Sequence, residues 1–307
     1  MSMQVVVVTN PVATSVVADP ELPDRVVRAV AALPATVTVV RTGRAGDAVE
    51  AGRAHASADV IVVVGGDGTL NGVVAGLLAA PGPHAVVAPF PAGSTNVVAR
   101  SLGFDRRPDR ALGQLVSALR AGRRATGTVG RLDDRVFLAN AGVGLDAAVV
   151  ARAEAHPSRK HRLRGIWFLW CLGTEMAVGP LGRGGPRLDV VDGAGRRHRG
   201  RWVVALARSP YVWLGALGVD LLPRADRTQG TVLLLRSLGA ATVVDGLRAV
   251  AARGGVIGAR LGRLDATGPV VVTADRPVPV QVDGEVVAPC VSATITFTPG
   301  GVTFVTP

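Results

Sequence analysis

Val64-Gly65-Gly66-Asp67-Gly68-Thr69-Leu70-Asn71 follows a β-branched run, Asp59 to Val64, and leads into an Ala/Leu-rich segment from about Leu70 to Ala79. This pattern predicts a buried strand, a glycine turn and a helix, in that order. Glycines at Gly65, Gly66 and Gly68 allow positive φ and close approach to a ligand. The helix start at Leu70 aims unpaired N–H groups and a positive dipole end at the same spot, a combination that suits phosphate. Asp67 inside such a loop repels an anion unless Mg²⁺ lies between them, so the loop points to a metal–nucleotide substrate. The competing reading is a plain strand-to-helix turn capped by Asp67.

The next strand ends in the same way, with Pro89-Phe90-Pro91-Ala92-Gly93-Ser94-Thr95-Asn96-Val97-Val98-Ala99-Arg100. In an open parallel sheet, ligands sit outside the carboxyl ends of the strands. Gly93, Ser94, Thr95 and Asn96 are therefore candidate contacts to the same phosphates, against the alternative of a helix N-cap by Ser or Thr.

Around these loops the first third of the chain alternates strand-like and helix-like runs: Gln4 to Thr9, Pro23 to Leu33, Thr36 to Arg41, Asp47 to Ala56, Asp59 to Val64, Leu70 to Ala79, and Ala85 to Phe90. Continuous valine runs suit parallel strands buried on both faces, and the alternation predicts a doubly wound α/β domain. A further helix, about Arg110 to Ala121, is closed by Gly122, which places a domain boundary near residue 125. Residues 126–307 read as a β-rich sandwich. It opens with a hairpin around Asp133-Asp134 and continues with strands at Arg187 to Val191, Arg201 to Ala207, Thr231 to Leu235, Val270 to Thr273, Val278 to Val282 and Ala293 to Phe297. Helical inserts are expected at Asp146 to Ala155 and Thr242 to Arg253.

Composition narrows the chemistry. The chain has 307 residues, 48% hydrophobic and 19% charged, so it can bury two sizeable cores. Two distant cysteines, Cys171 and Cys290, suggest neither a disulfide framework nor a thiolate metal site. The excess of 34 Lys plus Arg over 23 Asp plus Glu gives +11, yet Lys160 is the one lysine. A P-loop needs Gly-Lys-Ser/Thr and a protein kinase needs its strand lysine, so neither chemistry is available. The positive charge fits an anionic membrane surface or a polyphosphate as well as it fits nucleic acid. With no signal-peptide pattern at the start and no apolar run of the roughly 20 residues that a spanning helix needs, a cytoplasmic protein is expected.

Taken together, these motifs resemble the diacylglycerol kinase catalytic domain family, which includes sphingosine and ceramide kinases and soluble bacterial lipid kinases. Asn10-Pro11, Thr42 with Gly46-Asp47-Ala48, Gly65 to Asn71 and Pro91 to Arg100 match its landmarks in the first domain. Val129-Gly130-Arg131, Phe137 to Ala147 and Val282-Asp283-Gly284-Glu285 match those in the second. The resemblance implies an NAD kinase/phosphofructokinase-like α/β domain followed by a β-rich sandwich that takes the lipid. It also implies ATP and Mg²⁺ as cofactors and transfer of the γ-phosphate to the hydroxyl of diacylglycerol or a related lipid, giving phosphatidic acid in the first case. NAD kinases share the Gly-Gly-Asp-Gly loop, but their Asn-x-Gly second loop is absent here, which leaves an NAD kinase-like enzyme as the alternative. A non-catalytic lipid or nucleotide sensor is the alternative outside enzymes.

Carried over residue by residue, the resemblance gives Gly65, Gly66, Gly68 and Thr69 to the ATP phosphates, Asp67 to Mg²⁺ through water, Asn10 and Thr42 to the nucleoside, and Asn71 to the loop itself. Asp283 becomes the base and Glu285 its adjuster, both in the second domain, so that catalysis falls in an inter-domain cleft. From spacing alone, Asp283-Gly284 reads as an ordinary hairpin turn. The chain departs from the family at Val97 and Thr128, where relatives carry Asp, and at Gln229, which replaces the aspartate of an Asp-Gly pair. The expected metal network thus lacks acids.

Arg159, Lys160, Arg162 and Arg164 precede Trp167, Phe168 and Trp170, a membrane-interface composition whose alternative is a solvated loop before a core helix. Peripheral membrane association is expected on the first reading. The five histidines show no metal-ligand spacing, and Arg196 to Arg201 lacks the aromatic interleaving of a nucleic-acid site, so no nucleic-acid partner is expected. Exposed strand edges in the second domain would allow a homodimer.

Overall fold

The computed structural model describes residues 2–144, 147–149, 152, 171, 174, 186–208, 212–214, 217–219, 230–237 and 261–307. The chain divides into two compact units, Met1–Gly127 with Gly300–Pro307, and Thr128–Pro299. The sequence reading placed a boundary near 125 and gave everything after it to the second domain. The last eight residues instead group with the first unit.

The first unit runs β1 (Met3–Thr9), α1 (Thr14–Ala18), α2 (Leu22–Ala31), β2 (Ala35–Arg41), α3 (Asp47–Ala54), β3 (Val60–Gly65), α4 (Asp67–Ala79), β4 (Val86–Pro91), α5 (Val97–Ser101) and α6 (Pro108–Ala121). Its strands stand in the order β2-β1-β3-β4, all parallel, and Phe304 near the chain's end pairs in parallel with Val87 of β4. Val5, Val7, Val60, Val62 and Val64 pack with Leu22, Val26 and Val30 of α2 and Leu115 of α6 in one core. The alternate residues Val6, Val8, Ile61 and Val63 are equally buried, as strands covered on both faces require. Right-handed crossovers that step first to β2 and then back past β1 to β3 put α2 and α3 on opposite faces of the sheet. The point between β1 and β3 where the chain reverses direction is where such sheets bind ligands.

The predicted elements of this unit are all present, with one shift that bears on the site. Helix α4 starts at Asp67 rather than Leu70, so Asp67, Gly68 and Thr69 form its first turn. Helix α6 ends as expected at Gly122, which adopts φ 63°.

The second unit takes up β5 (Arg124–Leu132) at its end and continues with β6 (Arg135–Phe137), β7 (Asn140–Gly144), β8 (Leu188–Val191), β9 (Arg197–Gly200), β10 (Trp202–Leu206), β11 (Val212–Leu214), β12 (Leu217–Val219), β13 (Thr231–Leu235), β14 (Leu261–Leu264), β15 (Val270–Val282) and β16 (Glu285–Val305). Strands β15 and β16 form a long hairpin that serves two ladders. Val271 to Ala274 pair with β8, and Val280 to Val282 pair with β7. The changeover falls at Pro277 and Pro279, where the register shifts, because proline cannot continue a ladder. Side chains from both ladders, among them Leu188, Val190, Val143, Val203, Val232, Val272 and Val280, share one core. This unit is β-rich, as expected. Most of Asp146 to Ala155, and all of Arg159 to Trp170, Thr242 to Arg253 and Pro223 to Gln229, lie outside the described residues.

The β8–β9 hairpin is held by a buried carboxylate. Asp192 accepts hydrogen bonds from the amides of Ala194 and Arg196, from Arg196 Nε at 3.1 Å, and makes a 2.8 Å contact with His198 Nε2. Burial pushes its pKa up, but His198 and Arg196 outweigh that and hold it at about 2, below the usual 3.8. A depressed carboxylate stabilises the fold above the unfolded value and loses that contribution as pH falls through the folded one. Asp192→Asn is therefore expected to lower the melting temperature between pH 5 and 8. The difference from wild type should shrink to nothing as a pH series of thermal melts approaches about 2.

Candidate phosphate-binding site

The residues that follow β1 and β3 are tied together at the reversal point. The Asn10 amide donates to the Val64 carbonyl at 3.0 Å, and Asn10 Nδ2 donates to Thr69 Oγ1 at 2.9 Å. Asn10 Oδ1 in turn accepts the Val12 amide, which turns the chain away from the strand end. Thr69 is thus held from the side, and only its hydroxyl proton and its place in the first turn of α4 remain for a ligand. Thr42 follows β2, where its amide and hydroxyl both donate to the Thr9 carbonyl, at 2.9 and 3.3 Å. Asp47, at the start of α3, accepts the Gly43 and Arg44 amides, and those bonds hold its carboxyl below the usual range.

The two glycine loops touch backbone to backbone. A Cβ on Gly93 would lie 2.5 Å from Gly66 Cα and 2.9 Å from Asn96 Oδ1, and one on Gly65 would lie 2.7 Å from Thr69 Cβ. Glycine is needed there because the chains come too close for a side chain. Gly65, Gly66 and Gly68 all avoid positive φ, contrary to the conformational reason drawn from sequence. A Cβ on Gly68 would meet nothing within 4 Å, so this position faces open space.

Asp67 joins the loops. Its Oδ2 accepts the Val97 amide at 2.9 Å and its Oδ1 the Val98 amide at 3.1 Å, so it caps α5 from across the site. Burial raises its pKa, against the pull of those two amides, the charge of Arg100 and the Asn96 amide. Asn96 closes the second loop in the left-handed conformation, φ 50° and ψ 50°. Its Oδ1 accepts the Gly93 amide at 2.8 Å and its Nδ2 donates to the Gly93 carbonyl at 2.7 Å. Ser94 and Thr95 are exposed between these fixed points. Asn71 sits half-buried in the second turn of α4.

The structure therefore brings Asn10, Gly65, Gly66, Asp67, Thr69, Gly93 and Asn96 into one bonded assembly, with Gly68, Ser94 and Thr95 at its open surface and Thr42 at the neighbouring strand end. Asp283 and Glu285 belong to the second unit. There Asp283 and Gly284, at φ 48° and 84°, form the two-residue turn between β15 and β16. The Asp283 carboxylate accepts the amides of Leu138, Ala139 and Asn140 at 2.8, 2.8 and 3.0 Å, and its own amide donates to the Asn140 carbonyl. Gln281 adds to this network by donating to Asn140 Oδ1 and accepting the Gly284 amide, each at 2.8 Å. Glu285 is exposed. Sequence reasoning missed the Val97 and Val98 amides, which no side-chain pattern announces, and Gln281, whose only signal was its place two residues before Asp283.

A family model, the diacylglycerol kinase catalytic domain, matches residues 4–126. The match covers nearly all of the first unit's main segment, including both loops. The crystal structure of a diacylglycerol kinase from Bacillus anthracis str. Sterne is similar to the whole chain, with TM-score 0.73 at 18% identity over 99% of this chain and 97% of that one. Yeast NADH kinase complexed with NADH is similar with TM-score 0.50 at 14% identity, over 100% of this chain and 84% of that one. At such identities both likenesses speak for the fold alone. No curated protein sequence matches significantly. Residues 4–126 are thus similar to a diacylglycerol kinase catalytic domain, and the whole chain has a fold similar to those of the Bacillus anthracis diacylglycerol kinase and yeast NADH kinase.

Proposed function

We propose that the protein is an ATP- and Mg²⁺-dependent lipid kinase that phosphorylates the hydroxyl of diacylglycerol or a related lipid at a membrane surface. One observation carries this reading. Two glycine loops at the carboxyl ends of β3 and β4 are locked to each other through Gly66, Gly93 and Asp67, and they leave Gly68, Ser94 and Thr95 exposed to hold a polyphosphate. The second loop, with its Gly-Ser-Thr-Asn, favours the lipid kinases over the NAD kinases.

The residues present fit Mg²⁺ in one way. Among the described residues no three of His, Cys, Asp and Glu come together, and both oxygens of Asp67 already accept amides. Magnesium bound chiefly by phosphate oxygens and water needs only one or two carboxylates, and Asp67 would hold it through water. When bound, the ion neutralises charge on the transferring phosphate. The first-turn amides of α4 bind phosphate oxygens, and Asn10 and Thr42 line the nucleoside side.

In the second unit, Asp283 already serves three amides, which leaves little of its carboxylate for an incoming proton. We assign Asp283 to holding residues 138–140 and Glu285, exposed two residues on, to accepting the proton of the acceptor hydroxyl. No described helix is long and apolar enough to cross a membrane, which suits a kinase that meets its lipid from the surface.

Transfer from γ-labelled ATP to a panel of micellar lipids and to NAD tests the reading. A labelled lipid is expected. Labelled NAD would overturn the lipid acceptor, and ATP binding without any product would favour a sensor.

A further inference from the structure

Helix α6 buries one face, through Ala111, Leu115 and Ala118, in the core of the first unit. On its other side Asp109, Leu112, Gly113, Val116, Ser117 and Arg120, at helical spacing, line an open groove of about 730 Å³. A solvated helix face ordinarily carries charge, yet residues 111–119 hold none. Leu112 and Val116 are half-buried, Ser117 is exposed, and a Cβ on Gly113 would meet nothing within 4 Å. The charges sit at the two ends and differ in sign. Asp109, in the first turn, has a side chain 88% exposed, and Arg120 is exposed in the last turn. Arg25 reaches Asp109 at 3.4 Å but holds Asp19 more closely, at 2.8 Å. On the flanks Arg110 answers Asp105, and Arg123 donates to Ser117 Oγ at 3.0 Å. Among the described residues none forms an ion pair with Arg120.

Turned end for end, this face matches itself. A second α6 laid antiparallel, about a two-fold axis between residues 114 and 115, sets each Asp109 against the other copy's Arg120 and each Val116 against the other's Gly113, where no side chain stands in the way. A bilayer is the poorer match, because the groove has no aromatic residue, no lysine and an acid at one end. We propose that α6 is a homodimer contact, its groove occupied by the antiparallel α6 of a second copy of this chain. The helix offers roughly 20 Å of contact, so the dimer is weak and forms with rising concentration.

Analytical ultracentrifugation of the full chain over roughly 1–100 µM tests this, with wild type, Asp109→Arg, Arg120→Asp and Val116→Lys, each checked by thermal melting. Wild type is expected to pass from monomer to dimer mass. Asp109→Arg and Arg120→Asp each turn two attractions across the axis into two repulsions and should weaken the dimer by about tenfold. Val116→Lys should weaken it as well, by placing a charge in the uncharged middle. Mixing the two charge variants restores opposite signs at both ends, so the mixture should dimerise where neither variant does alone. A wild type that stays monomeric throughout would overturn the proposal, and so would charge variants that melt and dimerise like wild type, which would put the contact elsewhere. A monomeric wild type that sediments with phosphatidylglycerol vesicles and loses this in Val116→Lys would make a lipid surface the occupant instead.

Discussion

Gly76→Ala costs about 3 kcal/mol in urea unfolding, whereas Gly113→Ala adds about 1 kcal/mol, although both put the same methyl group into the interior of a helix. Helix propensity favours alanine by about 1 kcal/mol at either place. On the exposed face of α6, a Cβ at Gly113 meets nothing within 4 Å, so propensity decides. At Gly76 it would stand 1.9 Å from the Val49 carbonyl oxygen and 2.8 Å from the Arg53 amide of α3, so sterics decide. Gly52 and Gly72 meet the partner helix just as closely, with Cβ positions 2.1 Å from the Val73 oxygen and 2.9 Å from Ala48 Cβ. Helices α3 and α4 therefore lie backbone against backbone. Since α4 begins with Asp67, Gly68 and Thr69, this contact also sets where the first glycine loop stands. Equal and small effects of the two substitutions would refute the close packing.

Asp283→Asn is expected to lower both stability and activity, while Glu285→Gln lowers activity alone. Three amides within 3.0 Å converge on the Asp283 carboxylate. An asparagine has a single acceptor oxygen, and its amino group would face an N–H, which leaves at least one donor unpaired at a cost of about 1–3 kcal/mol. The backbone is not the cause, because asparagine tolerates φ 48° as well as aspartate does. Glu285 is exposed at the start of β16, so its amide variant should melt like wild type and lose the acidic limb of the pH–rate profile. The opposite pattern, with Asp283→Asn melting normally and losing that limb, would return the base to Asp283.

Much of the first unit was legible, because runs such as Val60 to Val64 are buried on both faces and nothing in them competes with strand. Both glycine loops were legible for the same reason, as each follows such a run. What sequence misjudged was why the glycines are there. Gly65 and Gly93 answer to neighbours at Thr69 and Gly66, and the second of these contacts spans 27 positions of chain. Helix α5, five residues long, has no periodicity to read, and its cap, Asp67, comes from 30 residues away. Val302 to Val305 formed too short an apolar run to announce that the chain returns to β4. In the second unit, Asp283 showed two faces, hairpin turn and acid. The turn was readable from Asp-Gly, but the three amides that occupy its carboxylate come from residues 138–140, which no local pattern connects to it.

The most direct measurement is the rate of γ-phosphate transfer to micellar diacylglycerol by wild type and Asp67→Ala, with thermal melts of both. Wild type should transfer phosphate. Asp67→Ala, which uncaps α5 and separates the two loops, should fall by on the order of 10²-fold or more while remaining folded. A folded Asp67→Ala that transfers phosphate at the wild-type rate would contradict the account of two loops locked through Asp67 into one phosphate site.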